Sequence, residues 1–179
     1  MLPLSRRAAL RWAAAFGAAG VLAVVVVPPV DRGRAGTAGS VIGAMFPDVI
    51  ITDINGRVQS PSAWRGKVTF VNFWATWCGP CQVEIPQFVA LQQAHPGTLQ
   101  IVGLSLDDSA DAVRAFASEH KMNYSVALVD QEFDHHFGEV VALPTTIVVD
   151  ASGRIVSRHV GLVGTEVYEE EIERLSHLR

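Results

Sequence analysis

Cys78 and Cys81 are the only two cysteines in the 179 residues, and they stand two residues apart in Trp77-Cys78-Gly79-Pro80-Cys81. Two thiols at that spacing suit several chemistries: exchanging a disulfide with a partner, holding half of a zinc site, stapling a fold, or reducing a peroxide at one sulfur. Zinc asks for four ligands, yet there is no second thiol pair, and His95, His120, His135, His136, His159 and His177 show no ligand-like spacing. A staple across so short a loop contributes only about 2 kcal/mol in the chain-entropy model, a weak reason to keep it in a domain of this size. A peroxidase thiol has no need of a partner so near. Disulfide exchange uses both sulfurs, so no metal and no cofactor beyond the Cys78-Cys81 dithiol is expected.

Exchange needs one sulfur that ionises readily and a second that follows it. A helix N-terminus supplies the first condition, because its free amides and the positive end of its dipole stabilise a thiolate. Lys67–Trp74 is a run of β-branched and aromatic residues suited to a buried strand, and a helix is expected from near Cys78 to about Ala94. Pro80 fits its first turn, whereas Pro86 forces a kink because it cannot donate to the carbonyl four residues back. Cys78 then attacks and Cys81, less exposed, resolves the mixed disulfide. A low thiol pKa also makes Cys78 a good leaving group.

The remaining elements must hold that strand and helix. Val49–Asp53, Asn55-Gly56 and Arg57–Gln59 predict a hairpin, since Asn-Gly supplies the positive φ angles of a tight turn. Strands are expected at Leu99–Leu106 and Tyr124–Val129, with an amphipathic helix over Asp108–His120 between them. Thr145–Asp150 and Arg154–Val160 predict a second hairpin, and a last helix covers about Thr165–Leu178. Alternation first and a hairpin late imply an α/β domain with a mixed sheet flanked by helices.

Residues 1–11 are basic, residues 12–27 are apolar without a charge, and Pro28-Pro29 ends any helix. This reads as an export segment over 1–30. Its apolar run lies between a cleaved signal's, about 7–15 residues, and a spanning helix's, about 20, so a signal peptide and an uncleaved anchor both fit. The basic flank favours the cytoplasm and sends the remainder outside. Arg6-Arg7 fits either a twin-arginine signal or an ordinary basic flank. Residues 31–44, rich in Gly, Ala, Ser and Thr, read as a flexible linker, leaving 45–179 as one domain. From residue 39 onward nine basic side chains face 17 acidic ones without a basic cluster, which argues against nucleic acid as a partner.

Val71-Asn72-Phe73-Trp74-Ala75-Thr76-Trp77-Cys78-Gly79-Pro80-Cys81-Gln82-Val83-Glu84-Ile85-Pro86 resembles the active-site block of the TlpA/ResA-type thioredoxins, redoxin-like proteins that are exported and often membrane-tethered. Ala142-Leu143-Pro144-Thr145-Thr146-Ile147-Val148-Val149-Asp150 is similar to the family's cis-proline loop and following strand, so the resemblance spans about residues 45–178. It implies a thioredoxin-like fold and a cis peptide at Pro144. It also implies a client-binding rim made of Trp77, Gly79 and Pro80 on one side and Leu143, Pro144 and Thr145 on the other. Asn72 stands where cytoplasmic thioredoxins carry a buried aspartate, and an amide cannot take a proton from Cys81. Glu84, one helical turn beyond Cys81, is the substitute that the resemblance implies; on spacing alone it also reads as a solvated helix residue. Trp77 reads as a platform for the partner or as a packed aromatic, Phe70, Phe73, Trp74 and Phe88 as core, and His135-His136 as a bland loop or a weak metal surface.

The function expected is an extracytoplasmic thiol–disulfide oxidoreductase that reduces exported cysteine proteins, as relatives do when preparing haem or copper attachment. Its partners would be such a client and a membrane thiol–disulfide electron donor. Residue Thr145 is not the acid that the more selective haem-pathway relatives carry after the cis-proline. Two alternatives remain open: an oxidase or isomerase of the same fold, and a metal-delivery protein, against which few Met residues and a single thiol pair argue.

Overall fold

A computed structural model of the chain describes residues 41–130, 133, 135–137 and 140–177. The expected export segment, 1–30, and linker residues 31–40 lie outside them. Among the described residues no helix is long and apolar enough to cross a membrane. The elements in chain order are β1 (Ile51–Thr52), β2 (Val58–Gln59), β3 (Val68–Trp74), α1 (Gly79–Ala94), β4 (Leu99–Ser105), α2 (Ala110–Glu119), β5 (Ser125–Leu128), β6 (Thr145–Val149), β7 (Ile155–Val160) and α3 (Thr165–Ser176). Short 3-10 turns at Pro61–Trp64 and His135–Phe137, too brief for any periodicity, complete the set.

The main sheet has five strands in the order β5-β4-β3-β6-β7. β3, β4 and β5 run parallel, β6 is antiparallel to β3, and β7 is antiparallel to β6, the mixed sheet that the pattern implies. β1 and β2 form the first hairpin in the register Ile51↔Gln59, with Gly56 at φ +80° closing the turn. Ile54 N–H donates to Val126 carbonyl at 2.8 Å and ties that hairpin to the β5 edge.

β3 is buried at every position because both of its faces are covered. Strand alternation sends Val68, Phe70 and Trp74 to one face, where they join Ile85, Phe88 and Leu91 of α1, Val113 of α2 and Tyr168, Ile172 and Leu175 of α3. Val71 and Phe73 turn to the other, among Phe46, Ile51, Trp64, Phe137, Ile147 and Ile155. Phe70, Phe73, Trp74 and Phe88 are all fully buried, as core. Gly103 on β4 is a close approach: a Cβ there would lie 3.0 Å from Trp74 Nε1 and 3.3 Å from a Tyr124 ring carbon.

The composition-based linker boundary needs correction. Gly43 N–H donates to Ile155 carbonyl at 2.8 Å, and Ile155 N–H donates to Ala44 carbonyl at 2.9 Å. These residues pair with the edge of β7, so ordered structure begins before residue 45. Small residues there serve edge pairing, which composition cannot distinguish from a spacer.

Candidate active site

Cys78 and Cys81 are joined as a disulfide at the start of α1. Cys78 is the residue that caps the helix: its backbone is extended and its sulfur accepts from Cys81 N–H at 3.2 Å. Gly79 and Pro80 open the helix and are both exposed, with Pro80 where its missing N–H costs nothing. Cys78 is 5% exposed and Cys81 1%. Both cysteines are buried, Cys78 slightly less so than Cys81. Trp77 is 71% exposed, so it is a surface aromatic rather than a packed one.

The loop that delivers Trp77 and Cys78 is gripped from two sides. Thr76 donates its N–H to Asp107 Oδ2 at 2.9 Å and its hydroxyl to Asp107 Oδ1 at 2.6 Å. Ser105 at the end of β4 donates to the same carboxylate at 2.6 Å, and Gln82 of α1 donates to Thr76 carbonyl at 2.7 Å. Sequence reasoning passed over Asp107. An acid two residues past a strand-end serine was the available signal, but nothing local shows which loop it reaches.

The peptide between Leu143 and Pro144 is cis. The register Phe73↔Thr145 sets this loop beside the end of β3, at the same end of the sheet as the cysteines, and Leu143 packs against the cluster that contains them. Pro144 carbonyl accepts from Gly161 N–H at 2.8 Å, which ties the β6 entry to the β7 exit. Thr145 is expected on the client-binding rim, but its side chain is fully buried and donates to Ala142 carbonyl at 2.7 Å. It braces the loop from inside. Alternation along β6 turns Thr145 away from the side that faces α1.

Glu84 is 1% exposed, which rules out a solvated helix glutamate. Tyr168 hydroxyl lies 2.7 Å from Oε1, and Asn72 Nδ2 donates to Oε2 at 2.8 Å. Asn72 also donates to Thr146 Oγ1 at 3.0 Å. Burial pushes the Glu84 carboxyl up to about 7; the bonds from Tyr168 and Asn72 and the charge of His159 pull the other way without cancelling it. An amide at position 72 therefore has a use that an aspartate there would not: it donates to Glu84 instead of adding a second buried acid. Tyr168 and Thr146 were not anticipated from sequence. Thr146 interrupts an apolar strand, a faint signal, whereas nothing around Tyr168 marks it.

His135 and His136 lie on the 3-10 turn, where the His136 ring meets Phe133 and Phe137 edge-on. No group of three or more metal-ligating side chains occurs among the described residues.

A cysteine pair joined as a disulfide at a helix start, a cis-proline loop beside it and a mixed five-stranded sheet define a thioredoxin-like redox domain. The Redoxin family's sequence pattern matches residues 42–175. The chain belongs to that family. It is 31% identical over 134 residues to the thioredoxin-like protein YneN of Bacillus subtilis, covering 73% of this chain and 78% of the relative. It is 30% identical over 138 residues to the thiol-disulfide oxidoreductase ResA of Bacillus thuringiensis subsp. konkukian, covering 75% and 79%. A crystal structure of a thiol:disulfide interchange protein of the thioredoxin family from Chlorobium tepidum superposes with a TM-score of 0.69 at 26% identity, over 74% of this chain and 95% of that one. The chain is a thioredoxin-like thiol–disulfide oxidoreductase.

Proposed function

We propose that this chain works outside the cytoplasmic membrane as a reductant of exported cysteine proteins, with Cys78 as nucleophile, Cys81 as resolving thiol and Glu84 as proton acceptor. In the reduced state the Cys78 thiolate attacks one sulfur of a client disulfide. That bond breaks, the other client sulfur leaves as a thiolate, and a Cys78–client disulfide forms. Glu84 takes the proton of Cys81, and the Cys81 thiolate attacks Cys78 Sγ. The Cys78–client bond breaks, the client departs with both sulfurs reduced, and Cys78 and Cys81 are left as the disulfide. The observation that carries this reading is Glu84, a buried acid one turn beyond Cys81, hydrogen-bonded to neutral groups and pushed up to about 7, where a carboxylate is basic enough to accept a thiol proton near neutrality. Gly-Pro between the cysteines, as in reducing thioredoxins, supports the direction.

Client contact falls to exposed Trp77, Gly79 and Pro80 and to the backbone beside Pro144. Leu143 has no backbone hydrogen-bond partner among the described residues, which leaves it open to an extended client segment. The basic and apolar residues 1–30 support export and tethering to the membrane, and an oxidising compartment requires a membrane thiol donor to restore the dithiol. Preparing exported cysteines for haem or copper attachment is the client chemistry that the resemblance to the TlpA/ResA-type thioredoxins suggests.

The test is the equilibrium reduction potential of the full chain, read from alkylation of Cys78 and Cys81 in defined thiol–disulfide buffers. A value near about −270 mV supports a reductant. A value near about −180 to −120 mV reverses the direction and makes the chain an oxidase or isomerase.

A further inference from the structure

Glu84, Asn72, Thr146 and Tyr168 come from α1, β3, β6 and α3 and close a ring of hydrogen bonds. Asn72 Nδ2 reaches Glu84 Oε2 at 2.8 Å and Thr146 Oγ1 at 3.0 Å. Tyr168 Oη lies 2.7 Å from Glu84 Oε1 and 3.2 Å from Thr146 Oγ1. All four residues are buried, so bulk water does not complete their bonding. The sheet sets the ring's base, because Asn72↔Thr146 and Thr146↔His159 are cross-strand partners on one face.

Counting protons shows what the ring favours. Asn72 has two amide protons and places one on Glu84 and one on Thr146. Tyr168 and Thr146 have one hydroxyl proton each, so Tyr168 cannot serve both of its neighbours. With Glu84 ionised the assignment is complete: Tyr168 donates to Oε1, and Thr146 donates to Tyr168. A proton on Glu84 has no free place. Oε2 already faces an amide donor, so the proton goes to Oε1. Tyr168 must then accept, turn its own proton to Thr146, and force the Thr146 proton out of the ring.

We propose that Tyr168 and Thr146 are positioning residues of the redox reaction, whose hydroxyls reverse direction together when Glu84 takes the proton of Cys81 and return when it is released. This rests on Glu84 being that acceptor and adds the device that keeps it ionised in a buried site. The hydroxyls oppose the effect of burial, which otherwise leaves the carboxyl protonated and useless as a base. The other groups acting on Glu84 are His159 on β7, which bonds Glu171 of α3, and Tyr124 ahead of β5, which burial and the Glu84 charge both hold protonated; Cys81 stands a turn earlier on α1. None of them donates a hydrogen bond to the Glu84 carboxyl among the described residues.

The proposal is tested by following the infrared carbonyl band of the protonated Glu84 carboxyl against pH in the full chain, with Glu84→Gln to identify the band. Tyr168→Phe keeps the ring packing against Phe70 and Phe88 and removes only the hydroxyl. It is expected to raise the midpoint of the band by about half a pH unit or more, since a donor to the carboxylate is lost. Thr146→Val should raise it less, and Thr146→Ser should restore it, a rescue that loss of packing alone does not predict. The pH profile of Cys81 thiolate formation in a Cys78→Ser background should move in the same direction. Where Tyr168→Phe fails to fold, the Thr146 pair carries the test. A midpoint unmoved by Tyr168→Phe and Thr146→Val, with the band still lost in Glu84→Gln, overturns the relay but leaves Glu84 as a base. The absence of any Glu84-dependent band that titrates near neutrality overturns both.

Discussion

Glu84 on α1 and Glu171 on α3 are buried carboxyls on the same face of the sheet, and their surroundings treat them in opposite ways. Burial pushes both upward. At Glu171 it is outweighed by bonds from His159 at 3.2 Å and from Ser157 and by the charges of His159 and Arg174, which hold the carboxyl below the usual carboxylate range. Among the described residues Glu84 receives hydrogen bonds only from the neutral groups Asn72 and Tyr168, and its carboxyl is pushed up to about 7. A cation partner makes a buried acid permanently charged and structural. Neutral donors alone leave its proton exchangeable near neutrality, which is the property a thiol chemistry needs.

The comparison breaks most directly through activity. Glu84→Gln should slow release of the client from the mixed disulfide by about 100-fold at neutral pH, the lower range for losing a general base, while Glu171→Gln should change that rate little. Rapid-mixing kinetics with a model disulfide measures both, and equal losses would mean that the cation at Glu171 is irrelevant to the distinction.

Stability against pH sharpens it next. The folded value of Glu84 is raised from 4.5 to about 7, so its contribution is fully present below about pH 4.5 and is lost as pH rises through 7. That shift corresponds to at most about 3.5 kcal/mol. Denaturant unfolding should therefore show wild type weakening between pH 4.5 and 8 by more than Glu84→Gln does. Glu171 has the reverse sign: its value is lowered, so its contribution is present above the unfolded value of 4.5 and is lost as pH falls through the folded one. Glu171→Gln should flatten the acid limb of the same curves and cost about 1–2 kcal/mol near neutrality.

The smallest effect belongs to a third carboxylate, Asp107, which holds a loop rather than a proton. Asp107→Ala should cost about 1 kcal/mol and slow the first attack by Cys78 through a looser Thr76-Trp77 loop, without moving the pH profile of the second step. Thermal unfolding and the pH dependence of client release, measured on one sample, separate these two consequences.

Much of the frame is legible along the chain because each part of it depends on neighbours in sequence. The β-branched and aromatic residues of Val68–Trp74, the Asn55-Gly56 turn and the Thr145–Val160 hairpin announce their elements within a residue or two of the bounds observed. Cys78 and Cys81 disclose their chemistry by number and spacing, and Pro144 through the block that follows it. The edge pairing of Gly43 and Ala44 was not legible, because small residues pair with an edge strand as readily as they make a spacer. The two directions of the Thr145 and Thr146 side chains were not distinguished either; they depend on which face of β6 turns toward α1.

The amino-acid sequence by itself determined the cysteine pair, the helix start that carries it, the order of strands and helices and the family to which the chain belongs, since all of these are local patterns. Tertiary structure alone decided that Glu84 is buried, that Asn72 and Tyr168, 12 and 84 positions away along the chain, are its partners, and that Thr146 joins those two. Strand register brings Asn72 beside Thr146, and the packing of α1 and α3 on that face sets Glu84 and Tyr168 against them. The acidity of a carboxyl depends on the water excluded and the donors that remain around it, and neither is a property of residues adjacent in sequence.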